Sequence, residues 1–104
     1  MRTKVYEELL RLAPLMDDHP IIHAINNSTE QGIVVLSILH KELDAAGYVR
    51  TSGMLKTLYE VKVHDPDGEL VAYGASHDDN DALLQAMWGF VREEAGRRVE
   101  AAEA

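Results

Sequence analysis

The chain has 104 residues, 46% of them apolar, and a formal net charge of −8 from 18 acidic and 10 basic side chains. That length suits one domain with a single modest core, and the acidic balance argues against nonspecific nucleic-acid binding, which needs Lys and Arg to displace counterions from phosphates. The absence of cysteine excludes disulfides, thiolate metal sites and a Cys nucleophile; no apolar run is long enough for a signal-peptide core or a membrane span, so a cytoplasmic protein is expected.

Residues 3–13 read as a first helix. Val5, Leu9 and Leu12 fall at i, i+4 and i+7, beside Tyr6, Leu10 and Ala13, and Pro14 stands near its end. Asp18 or His19 followed by Pro20 predicts a short second helix with proline in its first turn, holding Ile21, Ile22 and Ile25 and ending at Asn26-Asn27. Ser28-Thr29-Glu30-Gln31 then reads as a capping box. The helix it opens is expected to reach about Ala46 and stop at Gly47. Its apolar residues, from Ile33 through Leu43, cover more than one stripe, as in a helix central to a core or shared with a partner subunit. The β-branched residues permit a strand over 33–36, but the caps and the 35, 39, 43, 46 spacing favour helix.

Tyr48 to Thr51 reads as a short strand closed by Ser52-Gly53. Leu58 to His64 alternates, with Tyr59, Val61 and Val63 on one face and Glu60, Lys62 and His64 on the other. Asp65-Pro66-Asp67-Gly68 is a turn in which Pro66 sets one backbone angle and Gly68 supplies a positive one. Leu70 to Ala75 returns as a strand with Val71 and Tyr73 on the inner face. Ser76 is the expected cap of the last helix, with acidic residues in its first turn where the helix dipole favours them. That helix carries Ala82, Leu83, Ala86, Met87 and Phe90.

These readings predict an α+β fold of order α-α-β-β-β-α, with a small three-stranded antiparallel sheet covered on one face by the helix before it and the last helix. The first helix packs at an edge or onto a partner. The chain is one domain: a helical segment 1–27, a helix–sheet–helix core 28–96 and a frayed tail 97–104. The predicted core is Leu9, Leu36, Leu39, Leu43, Val61, Val63, Val71, Tyr73, Leu83, Met87 and Phe90.

The order helix, short strand, strand, strand, helix over residues 29–96 resembles the double-stranded-RNA-binding domain. Tyr59-x-Val61-x-Val63, the turn, Gly74-Ala75-Ser76 and a helix carrying Ala82 and Ala86 resemble that family's second half. The pattern is also similar to small helix–sheet–helix sandwich domains of bacteriophage proteins. In the RNA-binding family a lysine-rich start to the last helix grips phosphates. Here that position reads Asp78-Asp79-Asn80-Asp81, so the resemblance implies the fold without RNA binding.

Between Val63 and Val91 there is no Lys or Arg, and six carboxylates: Asp65, Asp67, Glu69, Asp78, Asp79 and Asp81. These, with the single tryptophan Trp88, are the candidate partner-binding residues. Trp88 suits core packing or a binding hot spot. His19 and His23, four apart and near Asp17 and Asp18, are weak metal candidates. Ser76-His77-Asp78 holds three triad residue types, but neighbours on one backbone do not converge as a triad must. The loop 65–69 lacks the spaced ligands of a calcium site. No catalytic residue and no cofactor are expected. The functional expectation is a non-enzymatic protein-binding module, a phage-encoded inhibitor that presents carboxylates to a basic or nucleic-acid-binding host protein. The alternatives are a homo-oligomeric assembly protein and a metal or small-ligand binder.

Overall fold

A computed structural model describes residues 2–103 of the chain. The fold is α+β: helices α1 (Arg2–Leu12), α2 (Pro20–Asn27), α3 (Leu36–Ala45) and α4 (Asp79–Glu103), a two-stranded ribbon β1 (Thr29–Glu30) and β2 (Ile33–Val34), and an antiparallel sheet of β3 (Val49–Leu55), β4 (Leu58–His64) and β5 (Leu70–Ser76) in that spatial order. Among the described residues no helix is long and apolar enough to cross a membrane.

The N-terminal segment forms as its periodicity requires. Val5 and Leu9 are buried on α1, and a 3-10 turn over Ala13–Met16 takes up Pro14 and buries Ala13 and Met16. His19 caps α2: its backbone is extended (φ −103°, ψ 135°) and its Nδ1 accepts the Ile21 N–H at 3.1 Å. Pro20 then occupies the first turn, where its missing N–H is no loss. The first helix packs on α4 within the chain, where the sequence placed it at a sheet edge or on a partner.

Residues 28–35 differ from the expected helix start. Ser28 closes α2 instead of opening α3: it is fully buried, its hydroxyl donates to the Ile25 carbonyl at 2.7 Å, and its N–H bonds Ala24 and Ile25. Thr29 pairs with Val34 and Glu30 with Ile33 across a turn at Gln31 (φ 54°) and Gly32 (φ 81°). Two consecutive left-handed residues are the mark of a tight hairpin turn, and Gly32 makes it accessible. The β-branched residues at 29, 33 and 34 thus serve a ribbon. The helix begins one turn and more later, at Leu36, capped by Val35 without a side-chain bond. Leu39 and Leu43 are buried and Gly47 (φ 85°) ends it as expected. This helix packs on α2, whereas the sequence placed it on the sheet. Its link to the sheet is Arg50 of β3, whose guanidinium bonds Asp44 at 2.8 Å and the His40 carbonyl at 3.3 Å.

The sheet is longer than its sequence pattern implied, since Ser52 and Gly53 continue β3 and the reversal falls at Lys56 (φ 58°) and Thr57. The β4–β5 turn forms as expected: Gly68 (φ 88°) donates to the Asp65 carbonyl, and Asp65 Oδ1 accepts the N–H groups of Asp67 and Glu69 at 3.0 and 2.9 Å. A bulge follows. His64 pairs with Leu70 but Val63 pairs with Ala72, which leaves Val71 as the extra residue. The phase of β5 therefore shifts by one. Ala72 and Gly74 face the core opposite Val63 and Val61, and Tyr73 lies opposite Lys62 on the outer face, 46% exposed. Tyr73 is thus not a core residue, and Val71 is only partly buried.

The last helix is capped by Asp78 rather than Ser76. The Asp78 carboxylate accepts the Asp81 N–H at 3.0 Å, while Ser76 belongs to β5 and donates to Asp81 Oδ2 at 3.3 Å. Helical conformation continues through the segment expected to fray, to Glu103. Arg98 bonds Asp18 at 2.7 Å and Glu94 at 2.9 Å, holding the helix to the loop before α2.

This helix runs across β4 and β5. At Gly74 the two backbones nearly touch: a methyl group there would lie 2.1 Å from the Ala82 carbonyl oxygen and 2.5 Å from the Ala86 nitrogen. The small side chains of Ala82 and Ala86, both fully buried, permit the approach. Gly74→Ala is therefore expected to cost about 1–3 kcal/mol and lower the melting temperature by roughly 5–20 °C. Gly96→Ala, on an exposed turn of the same helix with open space around it, is expected to gain about 0.5–1 kcal/mol. Thermal unfolding of both variants tests this. A Gly74→Ala protein melting with the wild type would show that the helix does not rest on the strand backbone.

Candidate functional site

β5 is an edge strand, so one row of its N–H and C=O groups has no strand partner. Beside that edge, farther along α4 than the Gly74 contact, strand and helix separate into a groove of about 600 Å³. Leu70, Val71, Ala72 and Tyr73 form its strand side; Trp88, Gly89, Phe90, Arg92 and Glu93 form its helix side. Gly89 leaves open space on the helix wall.

Trp88 is the chemically distinctive residue here. It is half-buried, and its Nε1 is fully buried without a hydrogen-bond partner. An unmet buried donor costs about 1–3 kcal/mol. The Arg92 guanidinium sits 4.8 Å from the centre of the indole ring, a cation–π contact. Unlike Arg50, Arg97 and Arg98, Arg92 forms no ion pair with a described residue. Sequence spacing placed Trp88 on the flank of its helix; the orphaned N–H and the adjoining groove had no counterpart in the sequence.

The six carboxylates do not form one surface. Asp65, Asp67 and Glu69 precede β5, and Asp78, Asp79 and Asp81 follow it. At about 3.3 Å per residue, the strand puts roughly 20 Å between the two groups. Several already serve the fold: Asp65 closes the turn, Asp78 caps α4, Asp81 accepts from Ser76, and Asp79 accepts from the Ser52 hydroxyl at 3.1 Å. Asp67 and Glu69 stand exposed near the Leu70 end of the groove.

His19 and His23 do not converge. His19 faces Phe90, with ring centres 4.7 Å apart, and spends Nδ1 on the α2 cap. The His23 Nδ1 lies 3.2 Å from both Asp17 carboxylate oxygens, and its Nε2 lies 3.1 Å from the Asn27 amide. Asn26 joins the same network, donating to Asp17 Oδ1 at 2.7 Å and to the Ala13 carbonyl at 3.1 Å. This network locks the 3-10 turn to α2. Among the described residues no group of three or more His, Asp or Glu side chains is placed to hold a metal ion.

Burial holds His19 below its ordinary value of 6.5, and burial followed by the Arg50 charge does the same for His40. Both therefore gain a proton more readily once unfolded. Their contribution is whole above about pH 6.5 and fades as the pH falls through the lower folded values. The unfolding free energy is thus expected to decrease as the pH falls below about 6.5. His19→Asn, which keeps a capping side chain, should flatten that slope in chemical denaturation. An unchanged slope would show that the ring is not shielded from solvent. At lower pH the Asp18 and Glu94 carboxylates, held down by hydrogen bonds from Arg98 and Arg97 respectively, lose their contribution in turn.

Comparison with models of known protein families, with curated proteins and with solved structures finds no match to this chain.

Proposed function

We propose that the protein is a non-enzymatic protein-binding module whose partner adds an extended segment to the free edge of β5, in the groove against α4. The observation that carries this reading is the combination of an unpaired strand edge with a preformed groove whose wall holds a buried indole N–H without an acceptor. Strand addition uses those parts: main-chain bonds along the edge give affinity, and hollows for alternate side chains give selectivity. A cytoplasmic site of action, with a basic or nucleic-acid-handling protein as target, belongs to the same proposal.

A second reading, self-association, is favoured by the outer face of the sheet. Val49, Leu55 and Leu70 are each more than half exposed there, beside Tyr73. A single monomeric species in sedimentation at tens of micromolar would count against it.

The test of strand addition is capture from a bacterial lysate followed by amide exchange on the isolated complex. The wild type is expected to show slowed exchange across residues 70–76 when a partner is bound. Leu70→Asp, at an exposed position, and Trp88→Ala are each expected to weaken capture tenfold or more, about 1.4 kcal/mol or above, with the domain still folded. Protection elsewhere, with β5 exchanging freely in the complex, would remove the proposal.

A further inference from the structure

We infer that the segment accepted by this groove is neutral over about seven residues, the length of β5, and carries Lys or Arg at both ends. This rests on the strand-addition reading and names the chemistry of its occupant. Leu70–Ser76 itself contains no charged residue, so a strand laid in register against it meets only uncharged side chains of β5 over its whole length. The charges lie beyond the strand, and at both ends they are carboxylates. Asp67 and Glu69 stand exposed at one end and Asp78 at the other, and Glu93 adds a carboxylate to the groove wall. No Lys or Arg occurs from Val63 to Val91. Among the described residues Arg92 is the one cation lining the groove, and it lies over the Trp88 ring. Asp79 is turned to Ser52 on β3 and takes no part.

The same charges decide against a second copy of the chain on this edge. Two copies joined edge to edge about a twofold axis pair antiparallel and present the same patch to each other. The turn carrying Asp65, Asp67 and Glu69 in one copy would then face Asp78 and Asp81 of the other, at both ends of the joint strand pair. Like charges at the ends of a neutral edge are a device against self-pairing. What repels a second acidic copy attracts a basic segment. A polyphosphate backbone is repelled for the same reason, which leaves a basic polypeptide.

The test uses the whole protein and two synthetic peptides of roughly eleven residues, each with an alternating valine and threonine centre. One carries two lysines at each end and the other two glutamates. Trp88, the single tryptophan, reports groove occupancy by its fluorescence, and amide exchange reports β5. The lysine-ended peptide is expected to bind at least about tenfold more tightly, with an advantage that shrinks as salt screens the charges. Changing Asp67→Asn, Glu69→Gln and Asp78→Asn together should abolish that advantage; asparagine still caps the helix, so the fold is kept. Equal binding of both peptides with β5 protected would overturn the inference and leave strand addition standing. Protection of β5 in a dimer of the protein alone would overturn it in favour of a second copy. No change at Trp88 or β5 with either peptide would overturn the inference and the strand-addition reading together.

Discussion

The contact between Gly74 and the Ala82–Ala86 turn of α4 sets the geometry of everything around it. A side chain at position 74, or a larger one at 82 or 86, would hold the helix off the sheet. Because all three are minimal, the helix touches the strand backbone near its start. Two turns later it carries Trp88 and Phe90, which are too bulky for the same approach. Helix and strand are therefore closest at one end and apart at the other, and the groove is the space that opens between them. The core beneath it, with Val61, Val63, Leu83 and Met87, is filled from the same crossing.

The sequence was most legible where one local rule acted alone. Alternation over 58–64 identified β4 and its inner face, the Asp65–Gly68 turn formed as its residues demand, and Gly47 ended α3. It was misleading where two local rules competed. Ser28 with Gln31 satisfies a capping box, yet Gln31-Gly32 between β-branched residues also satisfies a tight hairpin. The hairpin prevailed, with Ser28 closing the preceding helix by bonding Ile25. Ser76 and Asp78 are both good caps, and the extra length of β5 left the role to Asp78. The bulge at Val71 was invisible, because alternation read straight through it puts Tyr73 inside. A single inserted residue in a ladder reverses the faces of all that follow.

The candidate residues were legible one by one, but their arrangement was not. The acidic stretch is continuous along the chain, but a strand of seven residues lies between its halves, and a strand is the most extended form a chain takes. What reads as one patch therefore becomes two, on either side of a neutral edge. Trp88 stood out by composition, yet the lack of an acceptor for its indole depends on how Gly89, Arg92 and β5 surround it, which no spacing rule contains. His19 and His23 looked paired by their interval, but Pro20 makes the first of them a cap with extended backbone, and an extended residue does not share a helical face.

The position of α4 also governs the order in which the fold can be completed. It is the last of the described elements to be synthesised, and α1, β4 and β5 all pack on it. Until it emerges, the sheet has one bare face and the first helix has little to rest on. A nascent chain that has made α1 through β5 therefore holds apolar surface without a cover, and folding must wait for the helix that closes it. During that interval the neutral edge of β5 already has carboxylates at both ends, those of its leading turn and Asp78, and like charges there oppose pairing between unfinished chains.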